Sequence, residues 1–199
     1  MKIPFLAGLV ALLVAAPLAS ASIVAWNCDD DGDGAIVMNS AAMSTVGTDY
    51  RLDVGASQYW SPAHMAGDFT TDTELDPTVW IVETVDNYTN FTWTDYHIDI
   101  GMTKPFSIVG VVAPPDWTWA VTPPAGGQQL PNQPPGTLGW VGKVDYYAGT
   151  PIPPGQSGTF GLVVSFLGSV EFCTEQIPTP EPASLLLLGL GGLLIRRRR

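Results

Sequence analysis

The sequence predicts an all-β fold, a two-layer sandwich with a hydrophobic helix at either end of the chain, and three observations predict it. No segment between Ser22 and Ile177 sustains a helical period with caps. Short runs rich in Val, Ile, Thr, Trp, Tyr and Phe are instead divided by turn residues, drawn from the chain's 21 glycines and 18 prolines. Long apolar runs stand at the two termini, over residues 3–16, broken only by Pro4 and Gly8, and over residues 184–195.

Met1 and Lys2 are followed by an apolar run over residues 3–16, and then by Pro17, Leu18, Ala19, Ser20 and Ala21. A positive start, a short greasy stretch and an Ala-x-Ala exit describe a secretory signal peptide, with cleavage expected after Ala21. Residues 1–21 are therefore set apart from the fold.

Strands are expected over residues 23–28, 35–39, 50–58, 79–85, 89–102, 106–112, 117–121, 140–147, 158–166 and 170–173. Asp86-Asn87 reads as a hairpin turn. Tyr96, Ile98, Ile100 and Met102 alternate with Asp95, His97 and Asp99, the pattern of a strand with one buried and one wet face. Residues 123–136, with Pro-Pro, Gly-Gly and Gln-Gln pairs, read as a long exposed loop of polyproline character. Residues 150–166 resemble the late strands of Ig-like adhesive sandwiches, so the expected class is an Ig-like or jelly-roll-type sandwich over residues 22–174.

Residues 175–182 read as a Pro-rich linker. After Pro180, Glu181 and Pro182 come an apolar run over residues 184–195 and four arginines, Arg196 to Arg199. The run is shorter than the ~20 residues that span a bilayer comfortably. The arginines hold their end on the cytoplasmic side and leave the domain outside. Pro180-Glu181-Pro182, a short apolar helix and a terminal Arg cluster together resemble the PEP-CTERM sorting signal of bacteria that make exopolysaccharide. The resemblance covers about residues 178–199, and with the Pro-rich linker the tail is residues 175–199. It implies recognition and removal of the tail by a membrane-embedded exosortase, and release toward the cell surface and its polysaccharide matrix. It implies nothing about what the central domain binds.

The mature part, about 155 residues, is enough for one domain with a proper core. Of the 8 basic residues only Arg51, Lys104 and Lys143 fall within it, against every acidic residue but Glu181. Such an acidic surface repels nucleic acid, which is excluded as a partner. Cys28 and Cys173 form an even pair in an exported chain, which implies one disulfide; two free buried thiols are the alternative.

Asp29, Asp31 and Asp33 stand at spacing two, followed by Gly34, the carbonyl of Ala35 and the apolar Ile36. This resembles the first eight positions of an EF-hand or dockerin-type calcium loop, with oxygen ligands on one tight turn. Ser40 occupies the twelfth position, where that family has an acidic residue, and no helix can precede the loop. A metal-free acidic turn is the alternative. Trp117 and Trp119 alternate and so would share one strand face, bracketed by Pro114-Pro115 and Pro123-Pro124, where they could stack on sugar rings; ordinary packing in the sandwich is the alternative.

No nucleophile elbow, paired His and carboxylate or phosphate-cradling loop is present, so no catalytic residues are assigned. His97 between Asp95 and Asp99 reads as a salt partner. The expectation is a non-enzymatic structural or adhesive protein, exported, transiently anchored in the inner membrane and destined for the cell surface or extracellular matrix. A calcium-dependent carbohydrate-binding module and a glycan-active hydrolase are the alternatives, and calcium is the one cofactor with a motif behind it.

Overall fold

The computed structural model describes residues 21–180. Both terminal helices of the sequence reading, and Glu181 and Pro182, lie outside these residues. Eleven strands form two sheets: β1 (Ile23–Asp30), β2 (Ile36–Val46), β3 (Asp49–Gln58), β4 (Ala63–Thr71), β5 (Thr78–Asn87), β6 (Trp93–Met102), β7 (Phe106–Val112), β8 (Thr118–Gln129), β9 (Leu138–Tyr147), β10 (Ser157–Phe166) and β11 (Val170–Pro180). One sheet has the order β1-β4-β11-β6-β9-β8 and the other β2-β3-β5-β10-β7. All pairings are antiparallel except β3 with β5.

The chain changes sheet at almost every connection, because each strand has one apolar face and consecutive strands bury those faces against each other across the sandwich. Only β2–β3 and β8–β9 are hairpins within a sheet. The expected hairpin at Asp86-Asn87 is one of the sheet changes instead. Asn87 is fully buried: its Nδ2 donates to the carbonyls of Phe91 and Ile152, and its Oδ1 accepts from the Thr89 N–H and hydroxyl. An amide satisfied on both sides can sit in the interior and carry the chain from one layer to the other.

Alternation places Tyr96, Ile98, Ile100 and Met102 of β6 inside, against Leu162, Val164, Phe160 and Phe166 of β10. Two aromatic groups fill opposite ends of this core. Phe69 stacks between Phe166 and Phe172 at one end; at the other, Tyr96 stacks on Phe160 at 4.1 Å, with Trp117 and Tyr146 meeting Phe160 edge-on.

Besides shifts at strand ends, where β2 runs past the expected residue 39 to Val46 and β6 begins at Trp93 instead of residue 89, three elements differ from the sequence reading. β4 was not expected: its inward Met65 and Phe69 are apolar, but the inward Ala63 and Gly67 that alternate with them are small and weaken the signal. Gly67 is required there: a Cβ would lie 2.1 Å from the Asn27 carbonyl and 2.7 Å from the Phe172 ring. Residues 123–129 continue β8 as an irregular edge strand, with register shifts around Pro123-Pro124 and Gly127, the edge being where proline is tolerated. Finally, β11 runs through the supposed linker to Pro180, paired with β4 as far as Gln176 and with β6 as far as Pro180.

The disulfide between Cys28 and Cys173 is not formed: both cysteines are free. β4 lies between their strands, with Cys28 opposite Gly67 and Cys173 opposite Ala66. Two strand spacings separate them by about 9–10 Å, beyond the reach of a disulfide. Since Gly67 and Ala66 point to opposite faces, so do the thiols. Cys28 packs on the inter-sheet core, whereas the Cys173 thiol faces outward under Leu130 and toward the Gly101 carbonyl. Burial raises both thiols, Cys28 to about 12 with Glu83 and Asp29 adding to the effect, and Cys173 to about 11, so neither is poised to react.

Candidate functional site

The acidic loop joins β1 of one sheet to β2 of the other. Its carboxylates cap its own backbone: Gly32 N–H donates to Asp30 Oδ1, Asp33 N–H to Asp31 Oδ1 at 3.1 Å, and Ala35 N–H to Asp33 Oδ1 at 2.6 Å. Gly32 and Gly34 hold φ of 74° and 82°, the left-handed conformation that lets the turn close. Asp30 Oδ2 accepts from the Met38 N–H and fixes the start of β2.

Of the four residues expected to hold calcium, Asp31 and Asp33 come together and the other two do not join them. The third member of the group is His64, the second residue of β4; one ligand atom from each of Asp31, Asp33 and His64 lies within 4.8 Å of the others. The Ala35 carbonyl instead accepts the backbone N–H groups of Tyr59 and Trp60 at 2.8 and 3.3 Å. Asp29 faces a neighbouring groove and accepts from the Asp30 N–H.

His64 Nδ1 is 3.3 Å from Asp31 Oδ2, is itself buried and has no hydrogen-bond partner, while Nε2 is 3.8 Å from Glu175 of β11. Asn132, from the loop after β8, reaches across the sheet to donate to Asp31 Oδ2 at 2.8 Å. Partial desolvation would raise the Asp31 carboxyl, but the Asp33 hydrogen bonds and His64 outweigh it and hold Asp31 below the usual carboxylate range. Two carboxylates and an imidazole form a mixed oxygen and nitrogen donor set, which suits a transition metal better than the all-oxygen shell calcium takes.

The groove beside this loop, about 360 Å³, lies on the outer face of the six-stranded sheet. Asn27, Asp29, Asp68, Glu171 and Thr103 supply its polar walls, and Leu130 closes one side. The two candidate stacking residues do not share a site. Trp117 is buried against Phe160, with its indole N–H donating to the Thr150 carbonyl at 3.0 Å, whereas Trp119 is half exposed on the edge strand β8. That edge is at the far side of the sheet from the groove.

His97 is held across strands rather than by its own-strand neighbours Asp95 and Asp99. Its Nδ1 is 2.6 Å from Asp145 Oδ1 on β9, and Lys143 Nζ is 3.0 Å from the same oxygen. Partial burial works against the Asp145 charge, but Lys143 and His97 hold that carboxyl low; Asp99 is pushed up by burial that Lys143 only partly offsets.

Sequence reasoning missed Glu83. It points inward from β5, is wholly buried, and accepts from Gln176 Nε2 at 3.3 and 3.4 Å. Burial pushes its carboxyl up to about 7 against the pull of that hydrogen bond. Gln176 is in turn linked to Thr174, and Gln58 accepts from the Tyr96 hydroxyl beside them, so a polar patch sits between the sheets. Strict alternation from Val79, Ile81 and Val85 was the signal that could have placed Glu83 inside.

The fold and its exit strand define an all-β sandwich delivered with a C-terminal address. Residues 178–199 match the PEP-CTERM protein-sorting motif, the signature of an exported chain that an exosortase sorts. The match gives no family to the sandwich that precedes it. Comparison with curated proteins and with solved structures yields no match.

Proposed function

We propose that this protein is a non-enzymatic structural or adhesive component of the cell surface or extracellular matrix. Its tail holds it transiently in the inner membrane until an exosortase removes that tail. The observation that carries the reading is the join between domain and address. β11 remains hydrogen-bonded to β6 up to Pro180, so the sorting motif begins inside the last strand of a closed sandwich. A compact body with free thiols in inert settings and an acidic surface is suited to standing in a hydrated polysaccharide.

The test is fractionation of the producing cell with mass spectrometry of the protein in each fraction. The expected product begins near Ser22, lacks residues 184–199 and is recovered from the surface or matrix. An intact chain confined to the cytosol would refute the reading.

A second reading, a cation-dependent glycan-binding module, is supported by the Asp31–Asp33–His64 group beside an open polar groove. Calorimetric titration separates the two. Saturable binding of calcium or zinc that is lost in Asp31→Asn and His64→Ala, together with cation-dependent retention on polysaccharide, favours the module.

A further inference from the structure

The two ends of the sandwich expose different apolar side chains. Tyr59, Trp60, Tyr88, Trp119 and Tyr147 are the exposed aromatics among the described residues. All five lie toward the end at which β11 terminates. Tyr59 and Trp60 follow β3, and Tyr88 follows β5, whose Asn87 N–H bonds the loop before β10. Trp119 and Tyr147 sit where β8 begins and β9 ends, Trp119 level with Pro178 through Tyr146 and Tyr96. At the opposite end the exposed apolar residues Val46, Leu75, Leu138 and Leu167 are aliphatic. Tyr59 and Tyr88 stack on each other with ring centroids 5.5 Å apart, and the Trp60 ring lies against Gly34. The rings are therefore held in place while remaining open to solvent.

The chain itself states what this end faces. Three residues, Glu181, Pro182 and Ala183, separate Pro180 from the apolar run that begins at Ser184. Fully extended they reach about 10 Å. Pro178 is buried and Pro180 is paired with Trp93, so β11 contributes no slack. With the apolar run in a bilayer, the end of the sandwich that carries Pro180 is held within headgroup distance. Tyr and Trp are the side chains that favour that zone, having an apolar ring and a polar atom.

We propose that the Tyr59–Trp60–Tyr88 rim is a bilayer-contact surface that seats the domain on the membrane until the tail is cut; this rests on the tail acting as a membrane anchor. Charge does not drive the contact. Arg51 and Lys104 are at the opposite end, Lys143 is in the middle of β9, and Asp33, Asp86, Asp95 and Asp116 surround the rim. The contact therefore rests on the rings, and anionic lipid weakens it.

The test reconstitutes the chain from Ser22 to Arg199 in phosphatidylcholine vesicles with brominated acyl chains, which quench tryptophan at the interface. Flotation first establishes whether the chain is held by the vesicles; a chain that does not float refutes the anchor and with it the proposal. For a floating chain, quenching is expected to fall by at least half in Trp60→Phe, and likewise in Tyr59→Ser/Tyr88→Ser, which keeps Trp60 and reports the seating. Adding phosphatidylglycerol is expected to reduce it. Equal quenching in wild type and both variants, with all three floating and folded, would overturn the proposal while leaving the anchor intact.

Discussion

The two halves of β11 stand in contrast. Its first half, Val170 to Thr174, lies between β4 and β6, and Phe172 points into a stack with Phe69. In its second half, Gln176 points at the buried Glu83, Pro178 is buried with no backbone N–H to donate, and pairing with β4 stops at Gln176, leaving β6 as the sole partner. The first half is held by a strand on either side and by the packing of Phe172, and the second by pairing on one side over a buried polar patch. A strand can thus be extended into a region whose composition reads as linker, provided a neighbour offers its backbone.

The largest effect expected from breaking this contrast is truncation. A chain of residues 22–174 loses the β11 partner of the N-terminal half of β6 and uncovers Glu83, so cooperative thermal unfolding by circular dichroism is expected to disappear. A chain of residues 22–180 is expected to melt cooperatively, within about 2 °C of the chain that keeps its tail. Equal melting of the two truncations would show that the second half of β11 does not support the fold.

Next in size is the titration of Glu83. Its folded carboxyl is raised from 4.5 to about 7, so the folded state binds the proton more tightly than the unfolded chain. Its contribution is fully present below pH 4.5 and is lost as pH rises through 7. Denaturant unfolding at pH 5 and pH 8 is expected to differ by up to about 3 kcal/mol from this group, with the higher stability at pH 5. Glu83→Gln removes that difference and leaves the Phe69–Phe172 end unaffected. A wild type more stable at pH 8, with no response to the substitution, would rule out an uncompensated buried carboxyl.

The smallest effect is the one expected of the thiols. With Cys28 and Cys173 on opposite faces and two strands apart, reducing agent is expected to leave the melting temperature unchanged, and the denatured chain to titrate two thiols. A drop on reduction would require a rearrangement of β1, β4 and β11.

Much of the sandwich could be read locally. The strand at residues 106–112 is found as expected, and those at residues 50–58, 140–147 and 158–166 are extended by a few residues at most, because branched and aromatic residues alternate there. β4 was hidden by Ala63 and Gly67, small residues alternating with the inward Met65 and Phe69; at Gly67 the neighbours leave no room for a side chain. The second half of β11 was hidden by Pro178 and Pro180, which are tolerated because the strand is one-sided beyond Gln176. Two of the three members of the metal group were legible: Asp31 and Asp33 share a turn, while His64 is brought in by strand pairing from far along the chain.

By itself the sequence determined the all-β class, the turn chemistry of the acidic loop and the sorting address at residues 178–199, since each depends on composition or spacing within a short window. Tertiary structure alone decided that the cysteines remain apart, that His64 meets Asp31, that Glu83 is buried, and that the exposed aromatics collect at the end where the chain leaves. Each of these follows from which strands become neighbours and which face each residue presents, and sheet order depends on packing across the whole domain.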